Sequence, residues 1–130
     1  MKISDNSYQL IKKGLDTASR RQETISSNIA NVNTPGFKAS KVRFEEELKR
    51  AMGTGELGLS QTDRQHVGPG NIEQVHPEVV RDNAHAMDET GNNVDLDREM
   101  VDMAANEIYQ SALVEQLNKK LAIMNYVINR

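Results

Sequence analysis

The sequence predicts a mainly α-helical protein in which long N- and C-terminal helices form a coiled-coil-like pair around a loop-rich middle insertion with room for a small β-hairpin. Three observations lead there. Near both ends, apolar residues recur at alternating steps of four and three, the spacing of a helical seam. Six of the eight glycines and all three histidines fall within residues 53–93. Aromatic residues make up only 4% of the chain and Trp is absent, a thin supply for a globular core. The reading divides the chain into residues 1–52, a flexible Gly- and His-containing insertion at 53–93, and residues 94–130, with the first and last parts forming one helical core.

The first helix is expected over residues 5–33. Ser4, Asp5 and Asn6 are good N-cap residues because their side chains accept from free N–H groups of the first turn. Ile11, Leu15, Ala18, Gln22, Ile25, Ile29 and Val32 then trace the seam, with one polar interruption. Gly14 is a weak spot, worth ~1 kcal/mol less than Ala in a helix interior. The helix must stop before Pro35, which disfavours the helical conformation at Thr34, and Pro35-Gly36 is a turn signal. A shorter amphipathic piece follows, with Phe44, Leu48 and Met52 spaced four apart.

Between residues 53 and 93 apolar residues are sparse, and only 56–60 and 71–75 hint at strand. The last helix is expected over 95–129, since neither Gly nor Pro occurs after Gly91. Asp95 can cap it, and Asp97 and Glu99 place negative charge at the positive end of its dipole. Leu96, Met100, Met103, Val114, Leu117, Leu121, Met124 and Ile128 carry its seam, broken by Glu107 and Gln110. A second stripe runs beside it through Val101, Ala104, Ala105, Ile108 and Ala112.

An antiparallel pairing of the two helices buries one stripe on each and leaves the second stripe of the last helix bare. A two-helix hairpin buries little per residue, so the helices are expected to complete their burial on other subunits. The candidate packing residues are Ile25, Asn28, Ile29, Asn31, Pro35, Gly36 and Phe37 on the N-terminal side. On the C-terminal helix they are Met100, Ile108, Leu117, Leu121 and Met124. Asn28 and Asn31 lie on one helix flank, where their amides can bond a neighbouring helix.

Several functions are excluded or disfavoured. The net charge of −3 offers no nucleic-acid footprint. The absence of cysteine excludes disulfides and thiol catalysis. The N-terminus lacks the apolar run of a secretory signal, so any exit from the cytoplasm is expected to bypass a cleaved signal peptide. His66, His76 and His85 lack metal-ligand spacing. Asp95, Asp97 and Glu99 lack the glycine and distal glutamate of a calcium loop. Ser26 and Ser27 have no activating partner nearby in sequence, and the glycines at 53–58 lack a phosphate-loop ending. No catalytic, cofactor-binding or metal site is expected, nor a small-molecule substrate.

Residues 26–38 read Ser-Ser-Asn-Ile-Ala-Asn-Val-Asn-Thr-Pro-Gly-Phe-Lys. This stretch resembles the N-terminal signature of flagellar rod and hook proteins, in which a long helix ends in an Asn-rich stretch followed by Thr-Pro-Gly-Phe or Tyr. The run Gly91-Asn92-Asn93-Val94-Asp95-Leu96-Asp97-Arg98-Glu99-Met100 is similar to the approach to the last helix in the short, proximal members of the flagellar basal-body rod family. The resemblance implies a structural subunit, not an enzyme, that polymerises through its terminal helices into the torque-transmitting rod. The implied partners are copies of itself, FlgC-like rod proteins, a FliE-like basal-body protein and the flagellar type III export apparatus. The implied place is the basal body, in the rod spanning the periplasmic or cell-wall space. Phe44 and Leu48 fit the Phe-x-x-x-apolar pattern associated with export recognition in early substrates. The alternative is a cytoplasmic coiled-coil adaptor or export chaperone, which shares the seams but does not need the Asn-Thr-Pro-Gly-Phe turn.

Overall fold

The computed structural model describes residues 6–51, 72–83 and 89–129. Helix α1 spans Asn6–Ala30. Strand β1 (Ser40–Arg43) follows, then a short helix α2 (Glu45–Ala51). After a 3-10 turn at Ile72–Gln74 come strand β2 (Glu78–Arg81) and the long helix α3 (Leu96–Ile128). At ~1.5 Å per residue, the 33 residues of α3 extend about 50 Å.

Helices α1 and α3 run antiparallel along one another. Asn106 meets Ala18 and Gln22, and Leu113 meets Gly14. Helix α1 ends at Ala30, three residues before the expected 33, the chain passing into turns ahead of Pro35, and Asp95 caps α3 by accepting from the Arg98 N–H at 3.3 Å. Ile11, Ala18 and Ile25 of the α1 seam are buried, together with Gly14, Thr17 and Asn28.

The α3 seam behaves differently. Only Asn106 is buried along the whole helix. Leu96, Met100, Val114 and Leu121 remain 40–57% exposed. The helix pair is therefore joined along a narrower line than the seam spacing suggests. Where the two helices do meet, Gly14 sets their approach. A Cβ at this position lies 2.9 Å from Leu113 Cδ1 and 3.3 Å from the Tyr109 hydroxyl. The residue that costs helix propensity is the notch into which α3 fits.

The small sheet has a different origin from the one expected. Its strands pair antiparallel as Ser40↔Arg81, Lys41↔Val80, Val42↔Val79 and Arg43↔Glu78. One strand thus belongs to the N-terminal segment and the other to the insertion. Of the two hints of strand, residues 72–74 form the 3-10 turn, and 56–60 lie outside the described residues, as do Met52, His66 and His85. A two-stranded ribbon is marginal alone. Val42 is buried on one face of this one, and Ile72, Val75, Phe44 and Val94 complete the small apolar core. Lys13 ties the 3-10 turn to α1 by donating to the Glu73 carbonyl at 2.9 Å, and it meets His76 Nδ1 at 3.1 Å.

Candidate functional site

The residues of the Asn-Thr-Pro-Gly-Phe stretch converge with the start of α3 at one end of the helix pair. The chain leaves α1 through Asn31–Gly36, and this bend rests on the loop before α3. Gly36 (φ +73°) donates its N–H to the Thr90 carbonyl at 2.9 Å. Gly91 (φ +85°) faces it so closely that a Cβ there lies 3.6 Å from Gly36 Cα. Both positions need the left-handed region that glycine adopts without strain.

Three asparagine amides knit this crossing. Asn92 is 2% exposed. Its Nδ2 donates to the carbonyls of Asn31, Val32 and Thr34 at 2.8, 3.0 and 2.9 Å. These carbonyls lie just past the last α1 residue, where backbone acceptors lose their helical partners. Its Oδ1 accepts from the Val94 N–H at 2.8 Å. Asn93 accepts from Ala39 N at 2.6 Å and donates to the Asp82 carbonyl at 2.8 Å, linking both strands. Asn28, 1% exposed, receives Ser40 N–H at 3.0 Å and donates to the Ser40 carbonyl at 2.8 Å. It thereby satisfies the edge of β1 as a further strand would. Lys38 adds a bond to the Gly91 carbonyl.

The candidate packing residues fall into two groups. Ile25 and Asn28 are buried within the subunit, and Asn31, Ile29 and Phe37 are half-buried. The Asn31 amide donates to the Ser27 carbonyl at 2.8 Å and accepts from the Thr34 hydroxyl at 3.1 Å, so it shapes the bend. Pro35 and Gly36 are exposed on the outside of the bend. Met100, Ile108 and Leu121 are exposed along α3, while Leu117 and Met124 are half-buried. Phe44 is 3% exposed and Leu48 half-buried. Reasoning from residues alone did not single out Asn92 or Asn93 as site residues. The one available signal was a pair of amides directly after a glycine and before a helix cap.

A cavity of about 380 Å³ lies between α1, β1 and α3, with Arg21 and Lys41 on one wall and Glu99 and Asp102 on the other. Arg21 pairs with Glu45, and that hydrogen bond holds the Glu45 carboxyl below its ordinary pKa against the opposing effect of burial. Burial raises the Glu99 pKa, opposed by a hydrogen bond from the Asn28 side chain and reinforced by Asp102 and Asp95. Among the described residues no group of three or more His, Asp or Glu side chains is placed to hold a metal ion. Nor is any described helix long and apolar enough to cross a membrane.

The geometry is that of a structural element: a polar crossing fixes α1 to the start of α3, and α3 leaves many of its apolar side chains exposed. The family model for flagella basal body rod proteins matches residues 12–38, spanning most of α1 and its exit. The flagellar basal body rod protein FlgB of Bacillus subtilis is 33% identical over 128 residues, covering 98% of this chain and 97% of its own. FlgB of Borrelia hermsii is 35% identical over 98% of this chain and 99% of its own. FlgB of Borreliella burgdorferi is 37% identical over 80% and 82%. The chain belongs to the FlgB family of flagellar basal body rod proteins, and it is a structural subunit of that rod. The relatives give no support to a cytoplasmic adaptor or chaperone.

Proposed function

We propose that the chain builds the proximal part of the rod by polymerising through its terminal helices, and that it contributes to torque transmission as packed wall material with no catalytic role. The observation that carries this reading is the state of α3, whose 33 residues include one buried side chain and a succession of exposed Leu, Met, Val and Ile. Apolar surface of this extent on a helix is stabilised by a partner. The partners in this reading are other copies of the chain, FlgC-like rod proteins and a FliE-like basal-body protein. Pro35, Gly36 and the half-buried Phe37 present the bend to a neighbour, and Met100, Ile108, Leu117, Leu121 and Met124 present the helix.

In the same reading the subunit reaches the periplasmic or cell-wall space through the flagellar type III export apparatus, without a cleaved signal. The burial of Phe44 means that Phe44 and Leu48 serve export only while the chain is unfolded. A thin core and no disulfide suit a chain that must be kept unfolded for passage. The test is Leu121→Asp, which places a charge on a side chain already 41% exposed and so spares the subunit's own fold. Synthesis is expected to be normal, with the protein missing from purified basal bodies and swimming abolished. Normal swimming by this variant sinks the reading.

A further inference from the structure

His76 has two polar settings within its reach. One is on α1, where Lys13 Nζ donates to the Glu73 carbonyl at 2.9 Å and meets His76 Nδ1 at 3.1 Å. Beside it, Gln9 donates to the Glu73 carboxylate at 2.7 Å. The other is a hollow of about 480 Å³ that no α1 residue lines, bordered by His76, by Glu47, Arg50 and Ala51 of α2, and by Glu78 of β2.

An ammonium carries three donors and no acceptor. The Lys13 contact is therefore a hydrogen bond only when Nδ1 offers its lone pair and Nε2 carries the ring's proton. A second proton removes that lone pair and leaves two cations 3.1 Å apart. The hollow offers the opposite setting, since Glu47 and Glu78 bring carboxylates to it. Arg50, the cation that lines it, already pairs with Glu47 at 2.9 Å. Glu78 stands directly across the ribbon from Arg43.

We propose that His76 is an acid-operated toggle. The neutral ring ties the strap of residues 72–76 to α1 through Lys13. The protonated ring leaves Lys13 and turns into the hollow, toward Glu78 and Glu47. Histidine is the side chain that makes this change of charge between about pH 8 and pH 5. Residues 52–71 connect α2 to the strap, so the toggle sets whether the far end of that connection is fastened to α1 or beside α2. Its reach is limited. His76 is exposed and Lys13 half-buried, so water and salt screen their repulsion. Ile72 and Val75, each 7% exposed, hold the strap down in both states. The toggle redirects one side chain and loosens the strap, and it is independent of the rod reading.

The test uses the isolated full-length chain, isotopically labelled, in NMR at about pH 8 and about pH 5. At the higher pH, the Nε2–H tautomer and a nuclear Overhauser contact between the ring and the Lys13 methylenes are expected. At the lower pH, that contact is expected to vanish and one to the Ala51 methyl to appear, while the amides of Ala39, Ser40 and Val94 stay dispersed. Hydrogen exchange of the Val75 N–H, which donates to the Ile72 carbonyl at 3.2 Å, reports the strap. Its protection is expected to fall roughly two- to fivefold from the higher to the lower pH. His76→Gln, whose amide oxygen accepts from Lys13 at either pH, is expected to abolish this dependence. Lys13→Met is expected to give the lower protection at both. If the crossing comes apart in acid, His76→Lys supplies a permanent cation for the same comparison at the higher pH. A ring that stays against Lys13 in acid, or leaves it without approaching Ala51, overturns the toggle. So does equal Val75 protection at both pH values, a pH dependence that survives in His76→Gln, or full protection in His76→Lys. Recovery of the chain from basal bodies bears on the rod reading alone.

Discussion

Replacing Asn92 with aspartate keeps the shape of the side chain and removes the N–H groups that reach Asn31, Val32 and Thr34. At neutral pH a carboxylate then faces three carbonyl oxygens in a site that is 2% exposed. An uncompensated buried charge costs about 3–5 kcal/mol. Asn92→Ala leaves the same carbonyls unpaired without adding charge, at about 1–3 kcal/mol. Urea denaturation is expected to rank aspartate as the worse of the two at neutral pH, with part of its deficit recovered when the carboxyl is protonated. A side chain that merely filled space gives the opposite ranking, since aspartate is the closer fit. Glu99 and Glu45 provide a second residue-scale test. The Glu99 pKa is raised by burial, so the stability it contributes is full below the unfolded value, about 4.3 for Glu, and is lost as pH rises through the folded value. The Glu45 pKa is lowered by Arg21, so its contribution is present above the unfolded value and is lost as pH falls through the folded one. Relative to the wild type, Glu99→Gln therefore gains stability on going from acid to neutral pH, and Glu45→Gln loses it. Melting temperatures followed by circular dichroism between acid and neutral pH check both signs.

At the scale of elements, Gly14 sets helix propensity against packing. Alanine in an exposed helix interior gains roughly 1 kcal/mol over glycine. Here the added Cβ lies 2.9 Å from Leu113 Cδ1, so Leu113 has to move and the pair has to open or shift. Gly14→Ala is expected to gain none of the propensity benefit in the wild-type background and to recover it in Leu113→Ala. A double-mutant cycle in urea reads this as a favourable coupling between the two substitutions. A coupling of zero places the helices farther apart than the notch requires. The same residue shows what sequence can reveal at this scale. The existence of α1 and α3, the stop before Pro35 and the cap at Asp95 depend on neighbours within about one turn, and all were legible. Gly14 read as a defect because its partner lies 99 positions away in α3. Strand β1 was missed because four residues, Ser40–Arg43, are too few to show alternation, and its partner strand begins only at Glu78. Asn28 was legible as a flank amide, but not as one that clips the edge of β1 within its own subunit.

For the whole molecule, the contrast between its two ends determines how it moves. At the crossing, the N–H groups of Gly36, Ala39, Ser40, Asn93 and Val94 donate to the amide oxygens of Asn28, Asn92 and Asn93 or to turn carbonyls distant in sequence. Opening any of them disturbs several segments at once. Along residues 114–128 of α3, the backbone bonds are local to the helix, and no described side chain is buried. A helix supported by so little tertiary burial opens locally at small free energy. In the isolated full-length chain, hydrogen exchange is expected to be faster across 114–128 than at Ala39, Ser40 and Val94. In purified basal bodies the order narrows or inverts, because neighbours then cover the stripe while the crossing gains little. Equal protection of 114–128 and the crossing in the isolated chain means that the subunit covers its own apolar helix, and assembly then needs a different driving surface.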